Sequence, residues 1–312
     1  MPEPSLTQTW RFGRPVSLGR MLLGRRRGPG DPTYRLEGAA HWRGIRTPDG
    51  PATLALRGPG GPGDLGDPGG TVHGEAWGPG ARWALASVPG LLGEDDDPAA
   101  FTTDHPVLTA ALRRVGEVRI GRSGLVMESL VPAVIEQKVT GQEAFAGFRR
   151  LVRRFGERAP GPHPDLWVQP DAATIRAVPS WEWLQLHVDP ARSRALVTAA
   201  RVADSLERTV GLPGDEVERR LTSLPGIGVW TAAEVRQRAH GDPDAVSFGD
   251  YHVAKEIGWA VERRDWDDAR LAEFLEPFRP HRGRVATLLL LAGPRRPRRG
   301  PRMAPRTHLP AR

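Results

Sequence analysis

The sequence contains no cysteine, only two lysines and two tyrosines, and no long apolar run. The absence of cysteine excludes disulfides, thiol nucleophiles, zinc sites with cysteine ligands and iron–sulfur clusters held by cysteine. The longest apolar run, "VATLLLLAG" near residue 290, is too short to span a bilayer. The N-terminal "MPEPSLTQTWRFGRP" lacks the apolar stretch of a signal peptide. These features predict a cytoplasmic protein.

The positive charge is concentrated at one end of the chain. The formal net charge is +7, and the segment from Pro294 to Arg312 holds seven arginines and no acid. The rest of the chain therefore sums to about zero, and the folded body is less basic than the total suggests. We expect residues 294–312 to form a disordered tail. It either holds nucleic acid loosely through phosphate charge or is a solvated end without a function of its own.

Two kinds of pattern divide the chain near residue 105. Between residues 30 and 90, short segments of partly alternating polarity, bounded by Gly, Pro or Asp, predict strands: "TYRLEG", "HWRGIR", "ATLALR" and "TVHGEAW". The stretch "GPGGPGDLGDPGG" (58–70) predicts a flexible connection, since it lacks the Lys-Ser/Thr ending of a phosphate loop. "EDDDPAAF" (94–101) predicts an acidic turn. Helical periodicity then continues from Leu108 to Leu291.

The predicted fold is an α+β N-terminal domain, with a small antiparallel sheet and helices, over residues 1–106, followed by an all-α domain over 107–293. We expect the first important helix at Leu130–Thr140, with Ser129 as N-cap, Pro132 in the first turn, and an apolar face that includes Val134 and Ile135. Further helices are expected at Asp215–Thr222, Val229–Ala239, after Asp250, and at Arg282–Leu291.

The stretch "LPGIGVW", residues 224–230, joins two of these helices and predicts a helical hairpin. Pro225 ends the first helix, and Gly226 and Gly228 permit backbone angles that other residues avoid. The amides of the turn and of the next helix then point outward together, which favours an anion such as a DNA phosphate. A plain turn between two helices is the alternative.

The segment that follows, "GDPDAVSFGDYHVAK", places Asp250 just before a helix and 22 residues after Gly228. The combination of the hairpin with this acid resembles the signature of the helix-hairpin-helix DNA glycosylase superfamily. Residues 131–158 ("VPAVIEQKVTGQEAFAGFRRLVRRFGER") and 278–291 ("FRPHRGRVATLLLL") resemble its 3-methyladenine DNA glycosylase II branch. The resemblance covers Leu108–Leu291, with a weaker match at 81–101. It implies that the all-α domain is a helix-hairpin-helix glycosylase domain.

The resemblance assigns roles to individual residues. Asp250 matches the catalytic carboxylate, and it can also cap the following helix. Trp230 matches a residue of the base pocket, at the position where strand-cutting members carry a lysine. Glu234, one turn later, stands where the family is often aromatic: it either bonds an exocyclic amine, favours a cationic base, or is solvated. Asp242 and Asp244, in "GDPD", are interpreted as turn residues.

The same resemblance predicts the contacts with DNA. Lys138 falls where the branch places the wedge that fills the gap left by an extruded base, although it is also suited to contact phosphate. Gln137 is a predicted DNA contact, with an ordinary exposed helix surface as the alternative. The hairpin is predicted to bind DNA through Leu224, Gly226, Ile227, Gly228 and Thr231. No cofactor is expected, apart from Na⁺ or K⁺ at the backbone carbonyls of Leu224–Gly228.

The resemblance implies a monomeric, nucleoid-associated enzyme of base excision repair. It would extrude alkylated purines of the 3-methyladenine type from duplex DNA and hydrolyse their glycosidic bond, without cutting the strand. Three alternatives remain at this point. They are a non-catalytic helix-hairpin-helix DNA-binding protein, a glycosylase for oxidised or deaminated bases, and a helical protein unrelated to DNA.

Overall fold

The computed structural model describes residues 4–58, 69–294 and 296–297. The predicted connection at 58–70 and the predicted tail at 294–312 therefore lie mostly outside the described residues. Within the predicted tail, the Arg296 guanidinium makes two hydrogen bonds of 2.5 Å to the Asp265 carboxylate. Within the described residues, no helix is both long and apolar enough to cross a membrane.

The N-terminal part contains a five-stranded antiparallel sheet with the strand order β1-β5-β4-β3-β2, and these strands are β1 (Ser5–Arg11), β2 (Tyr34–Glu37), β3 (Ala40–Thr47), β4 (Gly50–Arg57) and β5 (Thr71–Trp77). The four predicted strands are confirmed. Strand β1 was missed because it lies at the sheet edge and is almost entirely exposed, so it carries no apolar alternation. The helices of this part are α1 (Leu18–Leu22), α2 (Ala81–Ala86) and α3 (Val88–Leu91).

The rest of the described chain is almost wholly helical, apart from the two-residue strands β6 (Glu157–Arg158) and β7 (Trp167–Val168). The helices are α4 (Pro106–Val115), α5 (Val126–Ile135), α6 (Gly141–Phe155), α7 (Ala172–Ala177), α8 (Ser180–Gln185), α9 (Pro190–Arg201), α10 (Ala203–Glu207), α11 (Gly214–Thr222), α12 (Val229–Val235), α13 (Val253–Glu262), α14 (Asp268–Leu275) and α15 (Arg282–Ala292). Short 3₁₀ turns occupy Leu23–Arg25, Pro98–Ala100 and Glu276–Phe278. The predicted fold class is confirmed.

The helical part has two apolar cores. One surrounds α5 and takes in α9, α11 and α12, while the other joins α4 to α13, α14 and α15. The chain crosses from the first core to the second between α12 and α13. This crossing segment contains Asp250, which is bonded to Trp230 on α12 and to the first N–H groups of α13.

Helix α5 differs from its prediction. It begins at Val126, and Ser129 is buried inside it, donating from Oγ to the Leu125 carbonyl, so Ser129 is not the N-cap. The carboxylate of Glu207 instead accepts the N–H groups of Val126 and Met127, each at 2.8 Å. Pro132 lies inside the helix rather than in its first turn. A cap supplied from α10 leaves no trace in the local sequence, which explains the error.

The acidic turn at 94–101 is a structural anchor. Asp96 accepts hydrogen bonds of 2.5 and 2.8 Å from the guanidinium of Arg284 on α15, and both side chains are buried. Arg284 also donates to the Val118 carbonyl. The turn therefore fastens the segment after α3 to the core that α15 helps to form.

Candidate functional site

The predicted hairpin is present between α11 and α12. The Ile227 N–H donates to the Leu224 carbonyl at 3.0 Å, and the Ile227 side chain is only 4% exposed, which anchors the turn in the core around α5. Gly226 has φ +86°, and a Cβ at this position would lie 2.8 Å from the Ala195 Cβ. Glycine is therefore required at 226 by conformation and by space.

Gly228 corrects the sequence-based interpretation, because its backbone has φ −96° and ψ −179°, an extended conformation open to any residue. A Cβ at Gly228 would meet no described atom within 4 Å. As N-cap of α12 it also offers no side chain to the first N–H groups of the helix. Nothing within the described chain explains a glycine here.

The hairpin is stabilised by hydrogen bonds that connect Gln137 to the turn and to Thr231. The Gln137 side-chain amide donates to the Gly226 carbonyl at 3.0 Å and to the Thr231 hydroxyl at 2.8 Å. Thr231 is buried, so its predicted contact with DNA could involve only its backbone. Gln137 is partly buried rather than an ordinary exposed helix residue. It connects the end of α5 to the turn.

Lys138 follows Gln137 in the loop between α5 and α6. Its side chain is exposed, and its φ of +55° is uncommon for a residue with a side chain. In the part of the chain that the structure describes, no acid forms an ion pair with it. The loop thus presents one free positive charge beside the hairpin that Gln137 braces.

Asp250 faces the helix that follows the hairpin. Its Oδ2 accepts the indole N–H of Trp230 at 3.2 Å. Its Oδ1 accepts the N–H groups of His252 and Val253, at 2.7 and 3.1 Å, at the start of α13. Asp250 therefore caps the start of α13, as one of its two interpretations expected, while its role as the catalytic carboxylate stays a prediction. Three donors fix the carboxylate in one orientation while it stays partly exposed.

Tyr251, next to Asp250, extends the site outward. It is 73% exposed, and the Lys255 ammonium lies 3.5 Å from the centroid of its ring. This is cation–π distance. The pair was not singled out in the sequence, although an aromatic residue directly after the candidate acid was a visible signal.

Glu234 is buried on α12 and is fully engaged by the protein. Its Oε1 accepts the Ser247 hydroxyl at 2.6 Å, and its Oε2 pairs with the guanidinium of Arg238, one turn later. Both carboxylate oxygens are therefore occupied. The structure does not leave Glu234 solvated, which was one of the expected alternatives.

A second acid, Glu136, lies next to this pair and was missed in the sequence. Arg27, from the segment after α1, places its Nη1 3.1 Å from the Glu136 Oε1. Burial lowers the pKa of Arg27 and the charge of Arg238 lowers it further, while Glu136, Glu234 and Asp31 oppose this. We call Arg27, Glu136, Glu234 and Arg238 the charged cluster.

Burial dominates the electrostatics of the charged cluster. Burial raises the pKa of Glu136, Arg27 and Arg238 oppose this, and Glu234 and Asp250 raise the pKa further. For Arg238, burial acts to lower the pKa, but Glu234 and Glu136 outweigh it and the pKa is raised.

The remaining acids of the crossing segment are structural. Asp242 pairs with Arg236 at 2.7 Å, and Asp244 pairs with Arg282 at 2.7 Å and Arg279 at 3.3 Å. This agrees with their interpretation as turn residues. Behind Arg27 and Arg238 lies a cavity of about 30 Å³, also lined by Arg25, Glu128 and Gln169, which is large enough for a water molecule but far too small for a base.

The hairpin carbonyls are the predicted site for a monovalent cation. The Leu224 carbonyl accepts the Ile227 N–H, and the Gly226 carbonyl accepts the Gln137 amide. Each oxygen keeps a second lone pair, so the residues present fit a monovalent cation, which stays a prediction. Within the described residues, no group of three or more His, Asp or Glu side chains is arranged to hold a metal ion.

Comparison with known proteins gives two kinds of similarity, although no family model matches the chain. A Mycobacterium tuberculosis protein named "Probable bifunctional transcriptional activator/DNA repair enzyme AlkA" is 32% identical over 195 residues. The match covers 58% of this chain and 38% of that protein, and the same match is found in a second strain. The chain thus spans about two fifths of the length of these relatives.

Solved structures share the fold over nearly the whole chain. The 3-methyladenine DNA glycosylase from Archaeoglobus fulgidus superposes with a TM-score of 0.74 at 17% identity, covering 91% of this chain and 97% of that one. The 8-oxoguanine glycosylase/lyase of Clostridium acetobutylicum, solved with double-stranded DNA, gives 0.67 at 11% identity, covering 93% and 97%. The resemblance seen in the sequence is confirmed.

Proposed function

The chain has the fold of the helix-hairpin-helix DNA glycosylases and resembles their 3-methyladenine branch, and from this premise we propose that it is a DNA glycosylase. In this proposal it binds duplex DNA, extrudes an alkylated purine and hydrolyses its glycosidic bond. The carrying observation is that Asp250 is held, partly exposed, by Trp230 beside the hairpin.

The hairpin is the proposed binding site for the DNA backbone. Neither the backbone conformation of Gly228 nor the packing around it requires a glycine. The space beside its Cα is open and is therefore suited to a phosphate. The N–H groups at the start of α12 lack a side-chain cap and carry the positive end of the helix dipole. Gln137 holds the turn so that these donors stay aligned.

Lys138 is the proposed wedge. Base extrusion costs a few kcal/mol, least for a damaged or mispaired base, and a side chain that enters the gap offsets part of this cost. The adjacent Gln137 fixes the loop that carries Lys138 to the start of α12. Lys138 and the hairpin would therefore keep their relative positions when DNA binds. A lysine in this place also attracts the flanking phosphates.

Asp250 is the proposed catalytic residue. Cleavage of the glycosidic bond develops positive charge on the sugar, and a fixed carboxylate stabilises that charge without reorganising. The same carboxylate can orient the attacking water. An alkylated purine with positive charge leaves readily, so a separate general acid is not needed.

We further propose that the enzyme leaves the strand intact. Trp230 occupies the position of the lysine with which strand-cutting relatives form a Schiff base, and an indole cannot do this chemistry. In this protein the indole N–H instead orients Asp250.

The test compares two aspartates that both cap helices. Asp250→Asn should slow release of 3-methyladenine and 7-methylguanine from methylated duplex DNA by about a hundredfold or more, with DNA affinity retained. Asp267→Asn, which changes the cap of α14, is the matched control and should leave the rate unchanged. Equal rates for wild type and Asp250→Asn would refute the assignment. Borohydride treatment of the wild-type reaction should trap no covalent adduct.

A further inference from the structure

We propose that Arg194 on α9 binds a phosphate of the duplex beside the hairpin, so that the DNA-binding surface extends onto the first two turns of α9. This inference rests on the proposed function and adds a contact outside the hairpin and the Lys138 loop. The partner is the sugar–phosphate backbone of duplex DNA, and Arg194 takes no part in the chemical step.

Helix α9 packs directly against the turn of the hairpin. A Cβ at Gly226 would lie 2.8 Å from the Cβ and 3.7 Å from the Cα of Ala195. Ala195 is buried in this contact, whereas Arg194, the residue before it, is exposed. Because consecutive residues of an α-helix point about 100° apart, Arg194 lies at the margin of the contact and reaches the solvent beside the hairpin.

The start of α9 is also fixed to the end of α5. The buried Arg192 donates from Nη1 to the Ile135 carbonyl at 2.6 Å, and Ile135 is the last residue of α5. Lys138 follows three residues later, in the loop that the hairpin holds through Gln137. Long side chains on a helix lean toward its N-terminus. Arg194 therefore leans toward the end of α9 that is tied to the neighbourhood of Lys138.

The charge of Arg194 is available for a phosphate. Among the described residues it forms neither an ion pair nor a hydrogen bond, and the acid at the start of α9, Asp189, is already bonded to Arg192 and caps the helix. The arginines on the other side of the hairpin differ, since Arg219 and Arg220 on α11 both pair with Glu216. A guanidinium without an acid partner can form two parallel hydrogen bonds to a phosphate and has no ion pair to break first.

Arg201 provides the matched control on the same helix. It is exposed, it lies on the same face as Arg194 seven residues later, and it too forms no ion pair within the described part of the chain. Two turns of helix place its Cα about 10 Å farther from the start of α9, and its side chain leans in the same direction. The two arginines therefore differ in their distance from the hairpin and not in their kind of environment.

The experiment measures the affinity for a duplex with a tetrahydrofuran abasic site by fluorescence anisotropy at several salt concentrations. Arg194→Gln should weaken binding about fivefold at low salt and reduce the slope of log affinity against log salt by about 0.9, the value for one phosphate contact. Arg194→Lys, which keeps the charge, should keep the slope, and Arg201→Gln should change neither quantity. An unchanged slope in Arg194→Gln, or an equal change in Arg201→Gln, would overturn the inference. Thermal unfolding checks that the variants are folded.

A rate measurement separates this inference from the proposed reaction. In single-turnover release of methylated purines, Arg194→Gln should raise the enzyme concentration that gives the half-maximal rate about fivefold, and Arg201→Gln should leave it unchanged. If the wild type releases no damaged base while Arg194→Gln still reduces the salt slope, the reaction is refuted and the binding surface is retained. Base release by the wild type, with the same salt slope in Arg194→Gln, would do the reverse.

Discussion

The two sides of the candidate site are built differently. On the hairpin side, the turn, Trp230 and Asp250 lie within one short stretch of chain and are joined by hydrogen bonds between neutral donors and one carboxylate. On the other side, the charged cluster is assembled from three distant segments: Arg27 follows α1, Glu136 ends α5, and Glu234 and Arg238 follow the hairpin. The hairpin side is formed by residues close in sequence and is partly exposed. The charged cluster is formed by residues far apart in sequence and is mostly buried.

Under the proposed function, Asp250 stabilises a developing charge, which requires a fixed orientation that a local motif can supply. The charged cluster is joined by ion pairs between distant segments, so its contribution is first of all to folding. Substitutions on the two sides should therefore have different consequences for stability and for rate.

Arg27→Met should have the largest effect on folding. It leaves the buried Glu136 without its closest cation, and breaking a buried ion pair from one side costs about 3 kcal/mol or more. Urea unfolding followed by circular dichroism measures this loss. The double variant Arg27→Met/Glu136→Gln should recover at least half of the free energy of unfolding that Arg27→Met loses, because no uncompensated charge remains.

The control for this prediction is an ion pair whose two side chains are both exposed. Arg122→Met breaks the 2.8 Å pair with Asp95, in which the side chains are 40% and 52% exposed, and should cost under about 1 kcal/mol. If Arg27→Met and Arg122→Met lose the same stability, the charged cluster is not a buried network in solution.

The two glycines of the hairpin should respond in opposite ways to alanine. Gly226→Ala combines a positive φ with a Cβ contact of 2.8 Å to Ala195, and we expect a loss of about 2 kcal/mol in the free energy of unfolding. Gly228→Ala meets no described atom and should cost under about 1 kcal/mol while weakening duplex binding several-fold. Unfolding curves measure the stability of each variant, and fluorescence anisotropy at fixed salt measures its affinity for duplex DNA. Unchanged DNA affinity in Gly228→Ala would remove the argument that a phosphate approaches this residue.

Local signals in the sequence predicted the hairpin side well. The turn chemistry of "LPGIG", the period of α12 and the acid before α13 are each encoded within a few residues, and the structure has all three elements in place. The strands β2 to β5 were predictable for the same reason, since Gly, Pro and Asp mark their ends. The roles of these residues in binding and catalysis stay predictions.

The charged side could not be predicted because its partners are joined only by folding. Nothing near Arg27 in the sequence distinguishes it from the neighbouring arginines 25 and 26. Glu136 did leave a signal, an acid that ends the apolar run "VPAVI", but without Arg27 and Arg238 beside it a surface position was the natural expectation. The start of α5 was missed for a similar reason, because Glu207 supplies its cap from another helix.

Trp230→Phe tests the hairpin side with the smallest change. The change keeps an aromatic side chain but removes the fused pyrrole ring together with its N–H to Asp250, so folding should weaken by about 1 kcal/mol or more. Loosening of the carboxylate should slow base release about tenfold. Trp266→Phe is the matched control, because its indole N–H donates to the Glu262 carboxylate at 3.0 Å in the core of α13 and α14. Because Trp266 is only 4% exposed, Trp266→Phe should cost at least as much stability as Trp230→Phe, and it should leave the rate unchanged. If both variants slow base release equally, the Trp230 N–H acts through stability alone and does not position Asp250.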